Sequence, residues 1–195
     1  MGKRVVVIAS GETERRALPH LARRLKARQA RVADVRIPPR NLPLTPEMAE
    51  KLIKASWFAN PQVPPDKFVV LLDTDRKSPE SVLKPFEEAL SNRIVSIGAN
   101  VLYAYAQKHL EAWYFADANG LRAHLGRALG SIDPSQPDEI DSPKLHLRNL
   151  LDSRVYTARV SENIAQTLEP EKIAQRSPSF RGFINAIING AAPNS

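Results

Sequence analysis

Phe68-Val-Val-Leu-Leu-Asp-Thr-Asp-Arg76 is the stretch on which the fold turns. Its five consecutive apolar residues suit a strand buried on both faces, the pattern of a parallel sheet, and the run breaks at a polar Asp-Thr-Asp turn. Val5-Val-Val-Ile-Ala9 repeats the pattern near the N-terminus and breaks at Ser10-Gly11. Arg31 to Ile37 alternates and reads as another strand. Arg93 to Ile97 and Leu102 to Ala106 read as two more. Helical periodicity fills the gaps. Thr13 is the expected cap of a helix reaching about Ala30, with Leu18, Leu21, Ala22 and Leu25 along one face. Thr45-Pro46 opens a helix that ends before Asn60, and Ser78-Pro79 opens one that ends near Ser91. Lys108 to Ala118 is an expected helix. Further helices are expected at 119–129, 142–151, 161–168 and 179–188.

Strands alternating with helices predict an α/β fold: a Rossmannoid, mostly parallel sheet with helices on both faces and a helical C-terminal part. One domain is expected over residues 1–190, with a core at about 1–117 and a helical extension at about 118–190. The tail 191–195 is expected to be flexible. Hydrophobic residues make up 43% of the 195 and charged residues 25%, which is enough apolar side chain for a core and argues against disorder. The absence of cysteine excludes disulfides, thiolate nucleophiles and cysteine-bound zinc. The first apolar run is too short for a signal peptide or a membrane span, so a cytoplasmic protein without membrane contact is expected. A net charge of +7 and an isoelectric point near 9.9 favour a polyanionic partner, of which nucleic acid is the commonest.

In open α/β sheets ligands bind beyond the carboxyl ends of the strands. Two such ends carry acids here: Gly11-Glu-Thr-Glu14 after the first strand and Asp73-Thr-Asp75 after the later one. Strand alternation puts Asp73 and Asp75 on one side, where they repel unless a cation lies between them. Oxygen-only ligands suit a hard ion, Mg²⁺ or Mn²⁺. Glu111, in Leu110-Glu-Ala-Trp-Tyr-Phe-Ala-Asp117, is an acid within an apolar helix, and so is either paired or turned toward the site. His109 is expected to point elsewhere on that helix. A lone Asp-x-Asp is more often a turn than a ligand set; two acidic strand ends on one sheet edge favour metal.

These motifs, together with Ser142-Pro-Lys144 and Arg176-Ser-Pro-Ser-Phe180, resemble in order and spacing the DUF4276 family, which is related to the Toprim domains of OLD-family nucleases. The resemblance runs from about Arg4 to Ile187. It implies a Toprim-like fold in which Glu14, Asp73 and Asp75, with Glu111 in the same cluster, hold Mg²⁺ for phosphodiester cleavage, and Lys144 contacts the scissile phosphate. It also implies a phage-defence setting and an ATPase partner protein. One departure is Ser10, where the family usually carries glutamate, so that a neutral hydroxyl replaces a carboxylate. The expected function is a metal-dependent nuclease in which Glu14, Glu111 and Lys144 are catalytic. Arg15, Arg16, Arg76 and Arg148, with Arg154 and Arg159, are expected to hold the nucleic-acid backbone. The alternative is a catalytically weak nucleic-acid-binding or ATPase-partner subunit.

Overall fold

The computed structural model describes residues 2–23, 30–126, 129, 133, 135–152 and 155–188. Within them β1 (Lys3–Ile8), β2 (Ala30–Arg36), β3 (Lys67–Asp73) and β4 (Val101–Ala106) form one sheet in the order β2-β1-β3-β4, with every neighbouring pair parallel. The two apolar runs that decide the class are the central strands β1 and β3. Their lack of alternation has a direct cause, because both faces of the sheet are covered. Val5, Val7, Val69 and Leu71 enter one core, and Val6, Ile8, Phe68, Val70 and Leu72 enter the other.

On the second face lie α2 (Pro46–Phe58) and α3 (Pro79–Ile94), which bury Ala49, Ile53, Leu90 and Ile94. Thr45 caps α2 by accepting from the Met48 amide at 3.2 Å, and Ser78 caps α3 by accepting from the Ser81 amide at 3.3 Å. A proline at the first position of each follows the same logic, since that residue's N–H would have no helical partner. On the first face lie α1 (Glu12–Leu21), α4 (Glu111–Ala116), α5 (Ala118–Leu125), α6 (Pro143–Leu150), α7 (Ala158–Thr167), α8 (Pro170–Arg176) and α9 (Pro178–Ile188). Helix α9 contacts β2, β3 and β4, so the C-terminal helices share a core with the sheet. Trp113 packs edge-on to Phe180 at 5.0 Å and stacks with Phe183 at 5.5 Å, contacts worth about 0.5–1.5 kcal/mol each beyond burial. Asp138 anchors this corner. It accepts from the Ser179 amide at 2.8 Å and from the hydroxyls of Ser177 and Ser179, while Ser179 Oγ accepts from the Trp113 indole at 2.8 Å. The Ser-Pro-Ser-Phe motif thus serves to start α9.

Several boundaries depart from the sequence reading. Helix α1 is capped at Gly11 with no side-chain bond, so Thr13 lies inside the first turn rather than at the cap. It ends at Leu21, two residues after Pro19, whose ring removes an amide donor, and Ala30 already belongs to β2. Residues 24–29, toward the expected helix end, lie outside the described residues, as do 127–128 and the tail 191–195. Arg93 to Ile97 is not a strand. Arg93 and Ile94 finish α3, and Val95–Ile97 is a 3₁₀ turn closed by Gly98 at a positive φ of 60°. Residues 170–176 form a helix that the periodicity does not announce. No described helix is long and apolar enough to cross a membrane.

Candidate functional site

The chain leaves β1 toward β2 on one side and leaves β3 toward β4 on the other. The loops beyond β1 and β3 therefore diverge and leave a crevice, the place where doubly wound sheets bind ligands. Glu14 stands on one side of it, in the first turn of α1. Asp73 stands on the other, as the last residue of β3.

Glu14 is buried. A Cβ added at Gly11 would lie 3.3 Å from its Oε2, so the carboxylate folds back against the turn that produced it. Burial, then the charge of Asp73, then that of Glu111 push the Glu14 carboxyl up to about 7, against the opposing pull of Lys144. Glu111 opens α4 and is also buried, and its carboxyl is raised by burial and Asp73, opposed by its own amide, Lys144 and the Tyr156 hydroxyl. The Tyr156 hydroxyl is enclosed without a hydrogen-bond partner in good geometry; burial and the neighbouring Tyr114 and Glu111 push it up. Three acids from three strand ends thus press on one another electrostatically, and one cation, Lys144, bears on two of them.

Asp75 does not reach this cluster by the pleat of the strand. It lies past the end of β3 at a positive φ of 51°, and its side chain is 70% exposed against 24% for Asp73. What joins the two aspartates is His109. Its Nδ1 lies 3.5 Å from Asp73 Oδ2 and its Nε2 lies 3.6 Å from Asp75 Oδ1. This corrects the expectation that His109 points away on a helix. Helix α4 starts only at Glu111, and His109 belongs to the turn after β4, where Lys108 has a positive φ of 61°. The hydrogen bond to Asp73 raises the imidazole against its desolvation. The available signal was positional, since this is the fourth strand-to-helix junction on the same sheet edge.

Next to Asp73, across His109, lies an open cleft of about 820 Å³, walled by Asp75, Arg76, Lys77, His109, Lys144 and Arg148 among others. A second cavity of about 480 Å³ continues along α6 to Tyr156 and shares Lys144, Leu145 and Arg148 with the first. Glu14, Asp73 and Glu111 are not among the wall residues, whereas Asp75 and His109 are. Arg76, Lys77, Lys144 and Arg148 make no side-chain hydrogen bond or ion pair among the described residues. Lys108 differs, because its Nζ is held by the carbonyls of Glu139 and Ile140 and by Asp141 at 2.7–3.0 Å.

The arginines of α1 prove to be elsewhere. Arg15 pairs with Glu12, and Arg16 reaches Glu162 of α7 at 3.1 Å. Neither lines the cleft, and Glu12 is committed to Arg15. Arg159 sits on α7 and lines neither cavity, and Arg154 lies outside the described residues. Sequence reasoning passed over Lys77 and turned His109 away from the site.

The donors available to a cation are carboxylate oxygens and one imidazole. Their mutual repulsion is what a cation relieves, so in kind they fit a divalent ion. Among the described residues no group of three or more histidine, cysteine, aspartate or glutamate side chains is arranged to hold one metal ion. The fit is therefore to an ion such as Mg²⁺ that takes one or two protein carboxylates and fills its remaining positions with water and phosphate.

Residues 10–188 match the family model described as domain of unknown function DUF4276. No curated protein matches the chain. Among solved structures, the chain is similar to the C-terminal region of the Xanthomonas campestris pv. campestris OLD protein, with 15% identity, a TM-score of 0.48, and 96% of this chain and 95% of that one covered. It is also similar to the C-terminal region of the Burkholderia pseudomallei OLD protein, with 16% identity, a TM-score of 0.44, and 96% of this chain and 98% of that one covered.

Proposed function

The chain belongs to the DUF4276 family, and from that premise we propose that it is a metal-dependent phosphodiesterase acting on nucleic acid, with its site at the β1/β3 crevice. One observation carries the reading: mutually repelling acids, Glu14, Asp73 and Glu111, lie beside a cleft whose cations Arg76, Lys77, Lys144 and Arg148 make no ion pair among the described residues. Cations without ion pairs beside acids that repel one another suit a substrate that brings phosphates together with a divalent ion. Asp73 and Asp75 would hold Mg²⁺ or Mn²⁺, with Glu14 and Glu111 behind them. Bound there, such an ion supplies Lewis acidity and a more acidic water.

The chain's own residues do the rest. Lys144 faces the cleft and acts electrostatically on both buried glutamates, so it stands where negative charge develops on a phosphate. Glu14, with a carboxyl near pH 7, is poised to take a proton and return it. Arg76, Lys77 and Arg148 position the backbone without reading sequence. A second reading, binding without cleavage or action only beside an ATPase, is favoured by Ser10 and by the lack of a three-ligand group among the described residues. Incubating the purified protein with plasmid, single-stranded DNA and RNA in Mg²⁺ or Mn²⁺ separates the two. Cleavage that is lost in Asp73→Ala/Asp75→Ala supports the enzyme, and salt-sensitive binding with no cleavage in either metal supports the second reading.

A further inference from the structure

We propose that the second cavity, along α6, is a base subsite: it receives one unstacked base of a single-stranded nucleic acid, next to the phosphate held at the cleft. The proposal rests on reading the β1/β3 crevice as a nucleic-acid site and adds to it the strandedness of the substrate. The two cavities share Lys144, Leu145 and Arg148, so one extended ligand can occupy both. Lys144 and Arg148 stand four residues apart on α6, about 6 Å along its axis and on one face. Asp152, just past the end of α6, lines the second cavity and not the first. Charge therefore changes sign along the groove, with cations where the cavities join and a carboxylate farther in. A phosphate is drawn to the junction and repelled from the inner part, so what enters the inner part is the neutral portion of a nucleotide.

The inner surfaces suit that portion. Leu145 is 55% exposed and Val155 76% exposed, and both are large apolar side chains lining this cavity. Tyr156 adds an aromatic surface. Its hydroxyl is enclosed, toward Tyr114 and Glu111, so the part of Tyr156 that meets the cavity is its ring. Isolated apolar side chains on a surface are ordinary. Here two of them flank an aromatic ring in one cavity of about 480 Å³, a size within the range of small-ligand pockets, and they adjoin the cations of the cleft. Apolar and aromatic platforms beside backbone-tracking cations are the means by which single strands are held, because every base has a face to stack.

A duplex cannot use this arrangement. Its bases are stacked on one another and paired at their edges, and opening one of them costs unstacking energy. The inward turn of the Tyr156 hydroxyl also fixes the register. A base lying on the ring is separated by that one side chain from Glu111, so the phosphate beside it, at Lys144, is the one nearest the acids.

The test is fluorescence anisotropy in EDTA, which prevents cleavage, with a labelled single strand in deoxy and ribo forms, the duplex of the same sequence, and a strand of the same length built of abasic residues. The variants are Leu145→Ser/Val155→Ser, whose positions are exposed, and Tyr156→Phe and Tyr156→Ala, with thermal melts to establish that each folds. Photocrosslinking of a 5-iodouracil strand to wild type, mapped by mass spectrometry, gives a readout that needs no variant. The expected result is a single strand bound at least about tenfold more tightly than the duplex or the abasic strand, in line with stacking of one base. Leu145→Ser/Val155→Ser and Tyr156→Ala should lose about five- to a hundredfold in affinity for the strand, with duplex affinity and salt slope unchanged, while Tyr156→Phe keeps wild-type affinity and the crosslink falls at Tyr156. Duplex or abasic strand bound as tightly as the normal strand, variants that bind the strand like wild type, or a crosslink away from this cavity would overturn the assignment. Salt-sensitive binding that persists in that case leaves the cleft standing as a nucleic-acid site; wild type that binds none of the nucleic acids defeats both readings together.

Discussion

Replacing Glu14 with glutamine removes a charge that the fold holds against its solvation. The carboxyl titrates near 4.5 in an open chain and at about 7 in the folded one, mainly because it is buried and secondly because Asp73 is charged nearby. Between those pH values the folded state keeps a proton that the unfolded state has released. The contribution of Glu14 to stability is therefore fully present below about pH 4.5 and is lost as pH rises through 7. At about 1.36 kcal/mol for each pH unit between the two values, the loss is on the order of 3 kcal/mol. Glu14→Gln keeps the shape and deletes the titration. It is expected to be about 3 kcal/mol more stable than wild type at pH 8 and close to wild type at pH 4. Urea unfolding at the two pH values, followed by the fluorescence of Trp57 and Trp113, measures the difference. Added Mg²⁺ at pH 8 should stabilise wild type more than the variant, because only wild type gains a partner for that charge. A variant no more stable at pH 8, or displaced equally at both pH values, would refute the reasoning.

Gly120→Ala places a Cβ 2.6 Å from Asp117 Oδ2 and 2.9 Å from the Thr167 carbonyl, so the melting temperature should fall, with a cost of about 1–3 kcal/mol despite alanine's helix preference; an unchanged or raised melting point counts against it. Asp138→Ala strips the shared acceptor from Ser177 and Ser179, and should cost about 2–3 kcal/mol in denaturant unfolding while shifting the near-ultraviolet signal of Trp113. Lys144→Ala and Arg148→Ala should each weaken oligonucleotide binding, read by fluorescence anisotropy, and reduce the slope of log affinity against log salt by about 1. Arg15→Ala and Arg16→Ala should leave that slope alone, because their cations are held by Glu12 and Glu162; an equal effect from all four would move the binding surface away from the cleft.

The class of fold could be read from β1 and β3 because a strand covered on both faces has no polar side to show, and their runs are rich in β-branched valine. Helices α2 and α3 were legible through Thr45-Pro46 and Ser78-Pro79, where the capping chemistry is local. Arg93 to Ile97 misled because Ile94, Val95 and Ile97 mimic a strand, whereas Val95 is exposed and Gly98 closes the turn. At the site, Glu14 and Asp73 were visible as acids at strand ends, and Glu111 as an acid within an apolar helix. His109 was not, because its role depends on Lys108 adopting a left-handed backbone that shortens α4, and no residue type signals that. Arg15 and Arg16 looked available in sequence because their partner assignments are spatial. Glu162 lies far along the chain on α7, and α7 meets α1 only in the folded core.

Anomalous diffraction from crystals soaked in Mn²⁺ tests the central claim most directly. The account predicts a peak at bonding distance from the carboxylates of Asp73 or Asp75, on the side of the crevice shared with Glu14 and Glu111. A saturated soak that leaves this edge of the sheet without a peak, or that places manganese only elsewhere on the surface, would contradict it.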